Sequence, residues 1–260
     1  MHLTVNGIDV AYTDEGEGPV LLLVHGFPLN RGTWAKQVEA LRSNYRVIAP
    51  DLRGLGETEA TGGPVSMNRY AEDLFALVQH LGLGPVTLAG HSMGGYVALA
   101  FANAFPQALN GLVLVGTKSG ADTPEAAASR RALAEKVEAE GVSVVVDAMA
   151  PKMLSAGNTD AAMAAAVRNF MLPSKPMGVV GALLGMAERP YMGAWLGLIR
   201  ARTLVLTGAD DTIIPPSESE ALAQAIPSAQ LNLIPQAGHL VAFEAPTAFN
   251  EVLMAWMARA

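Results

Sequence analysis

The sequence predicts one α/β domain built on a mostly parallel sheet, with a helical segment inserted late in the chain. Three observations lead to this prediction. Six compact apolar runs alternate with helical patterns, the alternation breaks between about residues 120 and 196, and 260 residues suit one such domain with an insertion. The alternation implies right-handed crossover connections, which place helices on both faces of a parallel sheet.

The first elements are predicted to be an antiparallel hairpin and then a series of buried strands. Leu3 to Val5 and Ile8 to Tyr12 flank Asn6-Gly7, a dipeptide that readily adopts the positive φ angles of a two-residue turn. Compact apolar runs are typical of parallel strands covered on both faces. The six runs are residues 20–24, 47–49, 86–89, 112–115, 204–207 and 231–234.

Helical periodicity occupies the segments between these runs. The clearest helix has Ser66 as its N-cap, Gly82 as its stop, and one apolar face formed by Met67, Tyr70, Leu74, Leu77, Val78 and Leu81. A second helix carries Trp34, Val38 and Leu41. A third is predicted to begin at Ser217, whose spacing to Glu220 fits a capping box. The last has Pro246 near its start and an inward face of Phe249, Val252, Leu253 and Trp256.

The inserted segment is predicted to be wholly helical and is interpreted as a lid. Its predicted helices cover residues 124–140, 142–150, about 159–171 and about 178–187. The first three end before Gly141, Pro151 and Pro173. We assign residues 1–120 and 197–260 to the core and residues 121–196 to this cap. Its seven methionines are interpreted as helix packing or, alternatively, as an adaptable apolar substrate pocket.

Composition excludes several classes of function. With 17 basic and 24 acidic residues the formal charge is −7, which argues against nucleic acid or an anionic membrane as a partner. The sequence has no cysteine, so disulfides, thiolate metal sites and a cysteine nucleophile are excluded. We find no apolar run near the roughly 20 residues of a membrane span and no basic-then-apolar leader, so a cytoplasmic location is expected.

The strongest chemical motif is GHSMGG at residues 90–95, which directly follows an apolar strand and leads into an apolar helix. A nucleophile elbow needs this strand, sharp turn and helix, with glycines where the neighbouring chains pack closely. Ser92 is therefore the candidate nucleophile. His91 is interpreted as a structural residue that points away from the serine.

A serine hydroxyl needs a base, and His239 is the best candidate because it lies on a turn after the last strand. The imidazole in turn needs a carboxylate, which Asp210 and Asp211 could both supply after the strand at residues 204–207. We favour Asp211, since the extra residue carries the chain past the strand end. The chain order Ser92, Asp211, His239 is that of α/β-hydrolases.

An oxyanion requires two N–H donors, for which the backbone amides of Met93 and Phe27 are the candidates. His25, just before the Phe27 loop, is interpreted as a satisfied core histidine. Residues 51–56 (DLRGLG) are interpreted as a structural turn in which Asp51 and Arg53 are hydrogen-bonded locally. No dinucleotide fingerprint or metal-ligand spacing is present, so no cofactor and no metal are expected.

The sequence resembles the α/β-hydrolase superfamily over nearly its whole length. The resemblance rests on HGFP at residues 25–28, DLRGLG at 51–56, GHSMGG at 90–95, Asp211, and GH at 238–239. Within this superfamily, the sequence is similar to small bacterial carboxylesterases. The resemblance implies an α/β-hydrolase fold with an eight-stranded, mostly parallel sheet and a cap inserted after the sixth strand, and it also favours Asp211 as the acid. Thr58 departs from the serine that relatives often carry there.

The expected activity is hydrolysis of small to medium apolar carboxylic esters through an acyl-enzyme. The alternatives are a lactone or carbon–carbon bond hydrolase, or a perhydrolase, with the same triad. A lactone or carbon–carbon bond hydrolase that acts on a dicarboxylate or an aromatic ring-cleavage product would need cationic anchors for its substrate. The candidates are Lys118, Arg168, Lys175 and Arg189. No motif supports a receptor or a lyase on this scaffold. An aminopeptidase would need acidic residues to bind the substrate amine, and the acids of the lid lie on a face predicted to be solvated. Dehalogenases and epoxide hydrolases use an aspartate at the elbow, where this chain has Ser92.

Overall fold

The chain begins with the antiparallel hairpin predicted from Asn6-Gly7. In the computed structural model, which describes residues 1–259, β1 (His2–Val5) pairs with β2 (Ile8–Glu15) and Val5 lies opposite Ile8. Asn6 and Gly7 have φ angles of 47° and 75°, so both turn residues adopt the left-handed conformation that a two-residue hairpin turn requires.

The remaining strands complete the eight-stranded sheet, in the order β1-β2-β4-β3-β5-β6-β7-β8. They are β3 (Val20–Val24), β4 (Arg46–Pro50), β5 (Val86–His91), β6 (Leu109–Val115), β7 (Arg202–Gly208) and β8 (Gln230–Ile234). β2 pairs antiparallel with β4, and every pairing from β4 to β8 is parallel. The predicted α/β-hydrolase fold, with an eight-stranded and mostly parallel sheet, is confirmed.

Helices cover both faces of the sheet because the central strands are apolar on both. In β3, Leu21 and Leu23 pack into one hydrophobic cluster while Leu22 and Val24 pack into another. The helices, in chain order, are α1 (Ala35–Leu41), α2 (Met67–His80), α3 (Met93–Ala104), α4 (Pro124–Glu140), α5 (Ser143–Met149), α6 (Ala161–Met171), α7 (Pro176–Ala187), α8 (Gly193–Leu196), α9 (Pro216–Ala225), α10 (Val241–Glu244) and α11 (Pro246–Met257). α1 and α11 contribute to the Leu21 cluster, whereas α2, α3 and α9 contribute to the Leu22 cluster.

One predicted helix start is wrong. α9 begins at Pro216, with Pro215 as N-cap, and no capping box forms between Ser217 and Glu220. Pro216 occupies the first helical position, where its fixed φ suits the helix and its missing N–H costs nothing. Ser217 therefore lies inside the first turn. By contrast, the predicted Ser66 cap of α2 is present, with Ser66 Oγ accepting from the Arg69 N–H at 3.1 Å.

The helices α4 to α8 lie in the chain between β6 and β7, within the inserted segment of residues 121–196. α4 has the predicted bounds, since Thr123 caps its start and Gly141, at φ 87°, ends it. α8 has only four residues and was not predicted. Four of the seven methionines, Met153, Met171, Met186 and Met192, are fully buried in packing contacts, while Met177 is half exposed.

The inserted segment contacts the core closely through the glycines of α7. A Cβ built on Gly178 would lie 1.8 Å from the Gly54 carbonyl oxygen, and one on Gly185 would lie 1.7 Å from that of Val65. The Val65 N–H also donates to the Gly181 carbonyl at 2.9 Å. These positions therefore exclude a side chain, and α7 packs backbone to backbone on the loop at residues 54–65.

Among residues 1–259, no single helix combines the length and apolarity needed to cross a membrane. α6 and α7 reach that length and composition together, but their axes are bent by 91°. Most of α7 is buried within the fold.

Candidate active site

Ser92 lies at a sharp turn between β5 and α3, as the elbow motif predicts. Its φ and ψ are 53° and −116°, a conformation that is strained for a residue with a side chain. The Ser92 N–H donates to the Val115 carbonyl at 2.9 Å, and Thr117 Oγ1 donates to the Ser92 carbonyl at 2.8 Å. These bonds hold the strained backbone in place, and the Ser92 residue remains partly exposed.

The elbow packs tightly against the end of β3, which explains the glycine after Met93. A Cβ built on Gly94 would lie 2.5 Å from the Val24 carbonyl oxygen and 2.6 Å from that of His25. On the other side of this contact, a Cβ on Gly26 would lie 2.9 Å from the Ser92 Cβ. The loop after β3 therefore lies directly against the candidate nucleophile.

Asp211 and His239 form a buried hydrogen-bonded pair. His239 Nδ1 lies 2.7 Å from Asp211 Oδ2, and both residues are at most 4% exposed. Asp211 Oδ1 accepts from the Ile213 and Ile214 amides at 2.8 and 2.9 Å, which fixes the carboxylate. The neighbouring Asp210 is exposed. The structure thus brings Asp211 to the histidine and leaves Asp210 in solvent.

The end of β6 connects this pair to Ser92. Gly116 follows Val115, the residue whose carbonyl accepts from the Ser92 N–H. A Cβ on Gly116 would lie 3.3 Å from Asp211 Oδ2 and 3.5 Å from His239 Nδ1. Ser92, Asp211 and His239 follow β5, β7 and β8, so all three lie at the carboxyl-end edge of the sheet, where Gly116 at the end of β6 borders Asp211 and His239.

The two predicted oxyanion donors flank Ser92. Met93 begins α3, where the first amides of a helix have no partner within the helix. Phe27 is in the Gly26 loop that touches the Ser92 Cβ. Within residues 1–259, neither amide N–H donates a hydrogen bond to another residue. The Phe27 and Met93 amides therefore stay the predicted oxyanion donors.

His91 has the structural role that the sequence predicts, and its ring lies against that of His239. The His91 and His239 ring centroids are 4.7 Å apart, and His91 Nε2 donates to the His239 carbonyl at 2.9 Å. Burial, with a smaller effect of the nearby His239, holds the pKa of His91 well below its ordinary value of 6.5. A neutral His91 thus supports the backbone of His239.

His25 is the satisfied core histidine that was predicted. The Leu52 N–H donates to His25 Nε2 at 2.9 Å and His25 Nδ1 donates to the Gly26 carbonyl at 2.9 Å, so the ring is neutral. Burial lowers the pKa of His25 below 6.5. Its ring thereby ties the Phe27 loop to the turn at residues 51–56.

The prediction that Arg53 is hydrogen-bonded locally is wrong. Its guanidinium forms a buried bidentate pair with Asp73 of α2, with both N–O distances 2.7 Å. Asp51 accepts from the Arg31 side chain and from the Arg31 amide at 2.7 Å. Thr58 Oγ1 donates to the Asp51 carbonyl at 2.8 Å, so the threonine keeps a hydroxyl at this position.

The two buried neutral histidines predict how stability depends on pH. Their pKa values are lowered only in the folded state, so below about pH 6.5 the unfolded chain binds more protons. The free energy of unfolding should therefore fall as the pH decreases from 7.5 to 5.5, by at most about 1.4 kcal/mol per pH unit for each histidine. Urea denaturation at several pH values measures this slope. The slope should be shallower in His91→Asn, and an unchanged slope would contradict the account.

Two of the four candidate cationic anchors, Arg189 and Arg168, are engaged elsewhere. Arg189 is buried, lies 2.9 Å from Asp122, and donates to the Met186 and Gly120 carbonyls at 2.9 Å each. Arg168 pairs with Asp147 at the surface, Lys175 is exposed, and Lys118 is partly buried. In the described chain, no three His, Asp or Glu side chains are placed to hold a metal ion.

Sequence reasoning missed two residues next to the candidate site. Thr117 supports the Ser92 carbonyl, and Glu244 accepts a hydrogen bond from the Gly238 amide at 2.6 Å. Thr117 could have been suspected from its place just after a central strand. Glu244 gives no such signal, because its partners in the inserted segment lie 86 and 89 residues away in sequence.

Comparison with known proteins gives consistent matches. The family model for the alpha/beta hydrolase fold matches residues 19–246. The solved structure of a thermophilic esterase from Thermogutta terrifontis, with malate bound, is 41% identical, covers 99% of this chain and 96% of that chain, and has a TM-score of 0.95. The enol-lactonase from Burkholderia xenovorans LB400 is 25% identical over 99% of this chain and 100% of that chain, with a TM-score of 0.93. A putative non-heme bromoperoxidase, BpoC, from Mycobacterium tuberculosis is 31% identical over 96% of this chain and 98% of its own length.

Proposed function

Because this chain belongs to the α/β-hydrolase family, we propose that it is a serine carboxylesterase acting through an acyl-enzyme. The observation that carries the proposal is the buried Asp211–His239 pair beside the strained Ser92 elbow. The similarity to the Thermogutta terrifontis esterase, at 41% identity, supports an ester as the substrate.

In the acylation step, Ser92 Oγ attacks the ester carbonyl carbon and His239 Nε2 takes the hydroxyl proton. Nδ1 is not free for this role because it donates to Asp211, which stabilises the imidazolium that forms. When the tetrahedral intermediate collapses, the C–O bond to the alcohol breaks and the imidazolium gives its proton to the departing oxygen. Ser92 is then acylated.

In the deacylation step, neutral His239 takes a proton from water and the resulting hydroxide attacks the acyl carbon. Collapse of the second tetrahedral intermediate breaks the bond to Ser92 Oγ, which recovers its proton from His239. The Phe27 and Met93 amides stabilise the negative oxygen in both intermediates. Preorganised donors of this kind are effective because they need no reorientation during the reaction.

The proposed substrates are neutral and apolar in the acyl part. Leu29 and Leu240, which lie close in sequence to Phe27 and His239, belong to an apolar cluster with Val146, Val167 and Met171 of the inserted segment. Arg189, a candidate anchor for a carboxylate-bearing substrate, is held by Asp122 and two carbonyls. These two observations support an apolar acyl chain over a dicarboxylate.

Turnover of p-nitrophenyl esters with acyl chains of two to twelve carbons tests this proposal. We expect kcat/KM to pass through a maximum at short or medium chain length, because an acyl chain that outgrows the apolar surface beside the site gains no further burial. The matched comparison is an ester of the preferred length that ends in a carboxylate, which should be a poorer substrate. Preference for the anionic ester, or turnover of lactones alone, would contradict the proposed substrate class.

A further inference from the structure

The carboxylate of Glu244, at the end of α10, joins the inserted segment to the loop that carries His239. From the inserted segment, Ser155 Oγ donates to it at 2.7 Å, the Ser155 amide at 3.0 Å and Asn158 Nδ2 at 2.8 Å. From the His239 loop, the Gly238 amide donates at 2.6 Å. We call these four residues the Glu244 junction.

The two segments are also in direct contact around this carboxylate. The Leu240 N–H donates to the Met153 carbonyl at 2.8 Å. A Cβ built on Gly238 would lie 2.4 Å from the Ser155 nitrogen, so the backbones touch where the glycine stands. Residues 153–155 therefore pack against the residues immediately before and after His239.

Every partner of the Glu244 carboxylate is a hydrogen-bond donor, which explains why an acceptor-only side chain stands here. Both carboxylate oxygens are engaged, Oε1 by Ser155 and Asn158 and Oε2 by Gly238. Glutamine has the same shape, but its NH₂ group would face a donor on one side or the other. Hydrogen bonds to an ionised acceptor are also about twice as strong as neutral ones.

From this geometry we infer that Glu244 is a positioning residue for His239, so that the base is aligned for proton transfer only while residues 153–158 are docked. Glu244 does not touch the reacting atoms. It acts through the Gly238 amide, one residue before the imidazole, while Asp211 and His91 hold the ring and the carbonyl of His239. The inference rests on the proposed role of His239 as the base.

The test compares Glu244→Gln with wild type, with kcat expressed per active site titrated by an organophosphate. We expect kcat to fall by roughly 100-fold, because a misplacement of about 1 Å can cost that much, while KM changes far less. Ser155→Ala, which removes one hydrogen bond on the inserted-segment side, should lower kcat in the same direction by a smaller factor. The matched control is Glu251→Gln, an exposed glutamate of α11 that should retain wild-type kcat.

Hydrogen exchange supplies a readout that does not need catalysis. In Glu244→Gln, the amides of residues 153–158 and of 237–240 should both exchange faster, because the two segments lose their shared partner. Wild-type kcat per titrated site in Glu244→Gln would overturn the inference, as would faster exchange confined to one segment. If the wild-type protein hydrolyses no ester, the proposed function fails. Faster exchange of both segments in Glu244→Gln would still show that Glu244 couples residues 153–158 to the His239 loop.

Discussion

Ser92→Ala should lower kcat for ester hydrolysis on the order of a millionfold, as removal of the nucleophile does in other Ser-His-Asp hydrolases. The variant keeps the Phe27 and Met93 amides and the apolar surroundings, but no oxygen remains to form the acyl-enzyme. Binding should persist, so KM or an inhibitor constant for a non-reactive ester analogue should change little. Steady-state turnover of the preferred p-nitrophenyl ester, with freshly purified protein, measures the effect.

The control for this variant is Ser129→Ala, which removes an exposed serine hydroxyl from α4. It should retain wild-type turnover. Alanine keeps the Cβ of Ser92 and therefore the same backbone strain, so the substitution should leave stability nearly unchanged, and urea denaturation checks that both variants are folded. Turnover by Ser92→Ala within tenfold of wild type would exclude Ser92 as the nucleophile.

Asp211→Asn should lower kcat by about 10⁴-fold, whereas Asp210→Asn should have little effect. Asp211 accepts from two backbone amides at one oxygen and from His239 Nδ1 at the other. An asparagine can keep the two amide bonds with its carbonyl oxygen, but its NH₂ group would then face His239 and favour the wrong tautomer. The imidazolium would also lose its counter-charge.

Asp210→Asn is a matched control because it makes the same chemical change one residue away, at an exposed side chain. The ratio of kcat between the two variants therefore isolates the carboxylate that faces His239. Equal losses in both variants, or a larger loss in Asp210→Asn, would contradict the assignment of Asp211. Circular dichroism of both proteins would show whether the turn after β7 keeps its structure.

Where local chemistry decides an element, the sequence was sufficient to predict it. Asn6-Gly7 predicts the hairpin because few other dipeptides adopt two positive φ angles readily. Pro124 and Gly141 predict both ends of α4, since each has a clear preference for its end of a helix, and the Thr123 cap is seen in the structure. The parallel strands followed from their unbroken apolar runs, which need helices on both faces.

Elements that depend on tertiary contacts were not predictable in this way. α8 and α10 have four residues each, too few to show a helical period. The start of α9 was misplaced because Pro216 and Ser217 both favour the first positions of a helix, and the proline prevailed. Arg53 was expected to bond within its own turn, but its partner Asp73 lies 20 residues away on α2.

The residues of the candidate site also divide into those that a local sequence pattern predicts and those that only tertiary contacts define. Ser92, Asp211 and His239 could be proposed from the sequence because each follows a predicted strand, and parallel strands end at one edge of the sheet. The contact of His91 with His239 spans 148 residues, and no local pattern indicates it. Glu244 was missed for the same reason, since its role is defined by donors from a distant loop.

Titration with a p-nitrophenyl phosphonate tests the central claim most directly, because this reagent reacts with an activated serine and leaves a stable adduct. We expect release of one equivalent of p-nitrophenolate per chain, esterase activity lost in proportion, and a phosphonyl adduct on the peptide that contains Ser92. His239→Ala should react far more slowly, since the hydroxyl then lacks its base. Full esterase activity after one equivalent has reacted, or an adduct on any other residue, would contradict the account.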